Sequence, residues 1–191
     1  MADAYLSQKR VTRWDISAED LPTPVLVTPA NSRLFLLPDK TVDGVGIYKD
    51  DVAGLVKTLK HNGVDIDYSS AREDRRYLSE YGAADVAAEI MLAVAGNLTS
   101  EVIKSIAMTV WHRVRSAIGA ESTQQEVDSA NVTVRIAEIV RNDHETVIRG
   151  LEITSRATEI EGIIRDAISN DWLTQLPSAT SGTTELEDAP E

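Results

Sequence analysis

Ala83-Ala-Asp-Val-Ala-Ala-Glu-Ile-Met-Leu-Ala-Val-Ala95, then Gly96-Asn97, then Ser100 to Ile118, is the stretch on which the fold turns. Alanine has the highest intrinsic helix propensity, so the first run reads as a helix, and Gly96-Asn97 supplies its stop. Ser100 reads as the cap of a second helix that runs to Ile118, with Gly119 as its end. Val102, Ile103, Ile106, Val110, Trp111, Val114 and Ile118 recur at helical spacing and form one buried stripe. Two helices joined by a few residues make an antiparallel helical hairpin.

Downstream, Ala120 to Ala130 reads as a polar loop. Asn131-Val-Thr-Val-Arg-Ile136 alternates as a strand, Arg141-Asn-Asp-His144 carries turn residues, and Glu145 to Ile153 returns, which gives a β-hairpin. Thr154 or Ser155 then caps a last helix with Ile160, Ile163, Ile164, Ala167 and Ile168 on its buried face, sealed by Trp172 and Leu173. From Thr174 the chain is rich in Ser, Thr, Ala and Pro and ends acidic, the composition of a disordered tail.

Upstream, Val25-Leu-Val27 and Arg33-Leu-Phe-Leu-Leu37 read as strands joined by a Pro29–Ser32 turn, and Ile47-Tyr48 as a further short strand. Asp50 or Asp51 caps a helix whose Val52, Leu55, Val56 and Leu59 share a face, with Gly63 as its stop. Val64-Asp-Ile-Asp-Tyr68 alternates as a strand. Helix followed at once by strand is half of a βαβ or ferredoxin-like unit. Ser70-Ala-Arg-Glu73 fits a capping box and opens a polar helix over Ala71 to Tyr81. The expected fold is α+β: a small antiparallel or mixed sheet packed against the helical hairpin and two further helices. Residues 1–40 form an N-terminal extension with a β-hairpin, 41–173 the core domain and 174–191 the acidic tail.

Composition bounds the function. The 191 residues are 42% hydrophobic, enough for a real core. With 31 acidic against 19 basic side chains the net charge is −12, concentrated after residue 120. No basic stripe offers itself to phosphates, so nucleic acid is not an expected partner, and anionic membrane surfaces are disfavoured. Cysteine is absent, which removes disulfides, thiolate metal sites and a cysteine nucleophile. The first ten residues lack a secretory pattern, and the longest apolar run, Ile90 to Ala95, is far short of the roughly 20 residues a spanning helix needs. The expected compartment is the cytoplasm.

No catalytic set assembles. Asp65 and Asp67 fall on one face of a strand and could hold Mg²⁺ in a nucleotide- or nucleic-acid-processing enzyme. Gly44-Val-Gly46 is the sole candidate phosphate cradle and lacks the spacing and lysine of a P-loop. A solvent face opposite Val64, Ile66 and Tyr68 is the favoured reading of the pair. Glu101 and Lys104 resemble part of a nuclease site but stand three apart at a helix start, where an acid faces the helix dipole. His61, His112 and His144 form no metal-ligand spacing, and no nucleophile elbow occurs. No cofactor is expected. An acidic chain of this kind could also act as a decoy for a DNA-binding protein.

The segment singled out for binding is Arg72-Glu-Asp-Arg-Arg-Tyr-Leu-Ser-Glu-Tyr81. It sets Arg72, Arg75 and Arg76 beside Tyr77 and Tyr81, residue types enriched in interface hot spots. The competing reading is a solvated helix whose Glu73, Asp74 and Glu80 balance the arginines.

Ala88-Glu-Ile-Met-Leu-Ala-Val-Ala-Gly-Asn97, Ile103 to Arg115 with Trp111, and the Val132 to Ile153 hairpin resemble the effector-associated constant component modules of bacterial conflict systems, over about residues 50–170. That resemblance implies a non-enzymatic interaction or signalling module in a bacterial defence system, with a protein partner or a second copy of the chain. It carries over no catalytic residue. The N-terminal 40 residues and the charged Arg72–Tyr81 segment depart from that pattern.

Overall fold

The computed structural model describes residues 11–169 apart from 30, 32, 80–87, 120 and 143. Tyr81, Trp172, Leu173 and the tail from 174 lie outside these residues, as does the side chain of Ile168. The elements run β1 (Val11–Arg13), α1 (Thr23–Val27), β2 (Arg33–Leu36), β3 (Lys40–Val42), β4 (Val45–Lys49), α2 (Leu55–His61), β5 (Ile66–Tyr68), β6 (Arg75–Leu78) and β7 (Ala88–Ala95). They continue with α3 (Ser100–Ile118), α4 (Gln124–Ser129), β8 (Asn131–Arg141), β9 (Thr146–Arg156) and α5 (Ile160–Ser169). The fold is α+β. Six strands form one sheet in the order β1-β9-β8-β7-β2-β5, and β3-β4-β6 form a second.

The alanine-rich run corrects the sequence reading. Ala88–Ala95 is a central strand, so no helical hairpin exists; β7 runs parallel to β8 and antiparallel to β2. Its side chains explain why. Ile90, Leu92 and Val94 face the helices, while Ala93 and Ala95 lie on the opposite face under the N-terminal segment. A strand buried on both faces loses the polar alternation that marks a half-exposed one. The β7–α3–β8 connection is thus a βαβ crossover, as parallel pairing requires. β2 and β5 are likewise parallel and are linked through α2, which bears out the βαβ half-unit read at Val52–Tyr68.

Most of the α3 stripe is as expected: Val102, Ile103, Ile106, Val110 and Val114 pack inward, joined by Leu55, Val56 and Leu59 of α2 and by Ile160 and Ile164 of α5, while Trp111 is only partly buried and Ile118, at the helix end, is exposed. The cap is Thr99, whose hydroxyl accepts from the Val102 N–H at 3.3 Å. The presumed polar loop contains α4, opened by a capping box in which Thr123 and Glu126 bond each other's backbone N–H. The β8–β9 hairpin is longer than its alternation suggested, and its turn is fixed by the Asn142 side-chain oxygen, which accepts from His144 and Glu145 N–H groups at 3.0 and 2.8 Å. The last helix is not capped by Thr154 or Ser155, which belong to β9. Asp50 and Asp51 sit in a 3-10 turn ahead of α2; they bond Ser79 and Arg113 instead of capping it.

The N-terminal hairpin is a second correction. Val25–Val27 belongs to helix α1, opened by prolines at its start, and β2 pairs with β5 and β7. β1 pairs with β9, so Val11–Arg13 and Arg33–Leu36 are both strands of the main sheet. The 11–28 segment covers the sheet's second face, where Leu21 and Val25 pack on Phe35, Leu37, Ala93, Ala95 and Ala137 with Trp14 and Ile16 alongside. Gly150 admits this cover. A Cβ there would lie 2.8 Å from the Trp14 carbonyl carbon and 2.9 Å from Ile16 Cγ2, and closer still to the Trp14 oxygen.

Candidate functional site

Arg72 to Ser79 do not form the expected helix. A 3-10 turn over Arg72–Asp74 leads into β6, which pairs in parallel with β4 and forms one edge of the small sheet. Strand pairing wins because it carries Tyr77 onto an aromatic cluster. The Tyr48 ring is 5.2 Å from Tyr68, edge-on, and 6.1 Å from Tyr77. Tyr68 and Tyr77 meet edge-on at 6.5 Å, and such offset contacts suit the ring quadrupoles.

The arginines divide by role. The Arg75 guanidinium stacks 4.1 Å from the centre of the Tyr68 ring and donates from Nε to the Ser70 carbonyl at 2.7 Å, so it is structural. Arg76 donates to the Glu73 and Arg75 carbonyls at 3.0 and 2.7 Å and remains exposed, as does Arg72. Tyr77 and Leu78 are 38% and 49% exposed. The structure thus brings Arg72, Arg75, Arg76 and Tyr77 to one sheet edge. Sequence reasoning missed Tyr48 and Tyr68 as partners of this segment. Burial raises the Tyr68 phenol pKa, and its hydroxyl donates toward the Val52 and Ala53 carbonyls at 2.9 and 3.1 Å.

Gly44-Val-Gly46 is not a phosphate cradle. Asp43 and Gly44 have φ of 50° and 80° and form the two-residue turn of the β3–β4 hairpin, the type I′ geometry that Asp-Gly favours. That dipeptide was the available signal. Gly46 is needed where β4 passes the 69–70 loop, because a Cβ would press on Ser70 and on Tyr48 at 3.2 Å.

Beside the joint between the two sheets lies a cavity of about 630 Å³ at the carboxyl ends of β2 and β5. Its apolar walls include Trp14, Leu37 and Met91, and its charged groups are Glu19, Asp20, Asp39, Asp74 and Lys40. The Asp20 carboxyl is held below its usual range by hydrogen bonds from the Ser17 backbone and hydroxyl, at 2.9 and 2.8 Å. The Asp39 carboxyl is pushed up by the protein mass around it, although its surface opens on the cavity; the Lys49 charge and N–H, the latter at 3.0 Å, partly offset this.

Asp65 and Asp67 do turn to one side of the sheet, and cations already engage them. Arg33 lies 2.7 Å from one Asp67 oxygen and 3.7 Å from Asp65, and Lys60 lies 3.0 Å from the other Asp67 oxygen. No protein-family model matches this chain, and neither does any curated protein or solved structure. Among the described residues no three His, Asp or Glu side chains gather as a metal site would require. His61, His112 and His144 lie apart, at the end of α2, on α3 and in the β8–β9 turn. Glu101 opens α3, as a first-turn acid. No helix among the described residues is long and apolar enough to cross a membrane.

Proposed function

We propose that this chain is a non-catalytic protein-interaction module that docks its partner on the outer edge of β6. The observation that carries this is the edge position of Arg75–Leu78, with Tyr77 and Leu78 exposed beside Arg72 and Arg76. An edge strand presents backbone donors and acceptors that an extended segment of another chain can pair, while alternate side chains read its sequence. Tyr and Arg are the residue types that most often supply interface energy. The net charge of −12 favours a protein over nucleic acid or an anionic membrane as the partner. The helical hairpin behind the resemblance to effector-associated constant component modules is a βαβ crossover here, so the reading stands on the β6 edge and not on that resemblance.

The test places a photocrosslinking residue at Tyr77 and, as a control, at the exposed Lys57 of α2, in cells that make the full chain. A discrete adduct from position 77 that is absent from position 57 and lost with Leu78→Asp is the expected result. Adducts that do not depend on position, or no adduct from 77 even with a second copy of the chain, would overturn the reading.

A further inference from the structure

We propose that the cavity at the carboxyl ends of β2 and β5 binds an organic cation, an ammonium or guanidinium carried on an apolar body. Its volume of about 630 Å³ falls within the range of about 300–1,000 Å³ usual for small-molecule sites. Its place in the fold is just beyond the carboxyl ends of the parallel pair β2 and β5. Here β2 has parallel β5 on one side and antiparallel β7 on the other, and the chain leaves β2 into the wall of the cavity.

The lining selects the ligand. Four acidic residues, Glu19, Asp20, Asp39 and Asp74, line this space with one basic residue, Lys40, and Lys49 lies near Asp39. An anion entering it would meet repulsion. Glu19 and Asp20 share one 3-10 turn while Asp39 and Asp74 come from two other segments, and among the described residues they form no cluster of metal-ligating groups. Charge spread around a space suits a diffuse organic cation better than a small metal ion. Trp14 adds an aromatic wall of the kind that attracts ammonium and guanidinium groups. Asp39 is exposed on this space and already has Lys49 near it, so a cation beside it adds a second favourable charge partner. The outer edge of β6 is not part of this cavity, so the site stands whether or not a partner docks there.

Calorimetric titration of the full chain with phenethylammonium, agmatine, 2-phenylethanol and phenylacetate tests the assignment. At least one of the two cations is expected to saturate a single site, with the neutral alcohol and the anion weaker by about tenfold, equivalent to about 1.4 kcal/mol. Asp39→Asn keeps an oxygen to accept the Lys49 N–H and is expected to weaken cation binding by about tenfold. Asp74→Asn, on an exposed turn, is a second probe whose folding is not at risk. The proposal is overturned if neither cation binds, if 2-phenylethanol binds as tightly as phenethylammonium, or if both variants leave the affinity unchanged.

Discussion

Replacing Gly150 by alanine should strip the N-terminal cover from the sheet. Gly150 lies on β9, where the Trp14 N–H donates to its carbonyl at 3.1 Å. The added Cβ would meet backbone of Trp14 and the Ile16 side chain within 2.9 Å. Backbone cannot rotate out of the way as a side-chain tip can. Overpacking of this kind costs about 1–3 kcal/mol, and losing the Trp14 hydrogen bond adds about 1 kcal/mol. The expected loss is therefore about 2–4 kcal/mol, a large share of a typical domain's stability of about 5–15 kcal/mol. Urea denaturation followed by circular dichroism measures it. Gly162→Ala is the paired control: it sits in α5 with nothing within 4 Å of the new Cβ and should stabilise by up to about 1 kcal/mol through helix propensity. Limited trypsin digestion gives a second readout, because lifting the segment exposes Arg13 at the end of β1. A Gly150→Ala midpoint within about 0.5 kcal/mol of wild type, with unchanged cleavage, would refute the packing argument.

Arg113 on α3 is 2% exposed and pairs with Asp51, while its Nε has no hydrogen-bond partner among the described residues. Asp51→Ala should cost about 3 kcal/mol by stranding a buried charge, and adding Arg113→Met should recover most of it; equal loss in the single and double variants, measured by denaturant melts, would refute this. Glu138 is buried near the end of β8, where one carboxylate oxygen accepts from the Leu98 N–H at 3.2 Å and the other lies 3.5 Å from Arg149 with no hydrogen-bond partner among the described residues. Burial raises its pKa above the ordinary 4.5. The unfolded chain gives up this proton more readily than the folded one, so the group's contribution is complete below pH 4.5 and declines as pH rises through the folded-state pKa. Stability measured from pH 4 to 7 should therefore fall less steeply in Glu138→Gln than in wild type; equal slopes would count against the assigned burial effect.

Legibility in the sequence followed how much of each element faces solvent or a local partner. The α3 stripe, the α2 face ended by Gly63, the alternation at Val64–Tyr68 and the β8–β9 hairpin all carry their pattern within a dozen or so residues, and the structure bears them out. Ala88–Ala95 misled because alanine favours helices, yet its packing uses alanine for another reason: Ala93 and Ala95 leave room for Phe35 and Leu37 beneath the 11–28 segment. Ile90, Leu92 and Val94 at period two held the correct signal. Arg75–Leu78 misled because its strand partner is β4, far back in the chain, and charge at i and i+3 imitates a solvated helix. Of the candidate site, Arg72, Arg76 and Tyr77 were legible as exposed binding types; the tyrosines behind them and the cavity depend on distant segments meeting.

The pairing of β1 with β9 joins residues as far apart as Thr12 and Glu152, separated by 140 positions. As the chain leaves the ribosome, β1 must wait for β9, the last strand among the described residues, before it has an edge to join. Until then Trp14 and Leu21 have no complete sheet to cover, and the cavity they help wall does not exist. Any ligand there would report that synthesis has run through the β8–β9 hairpin.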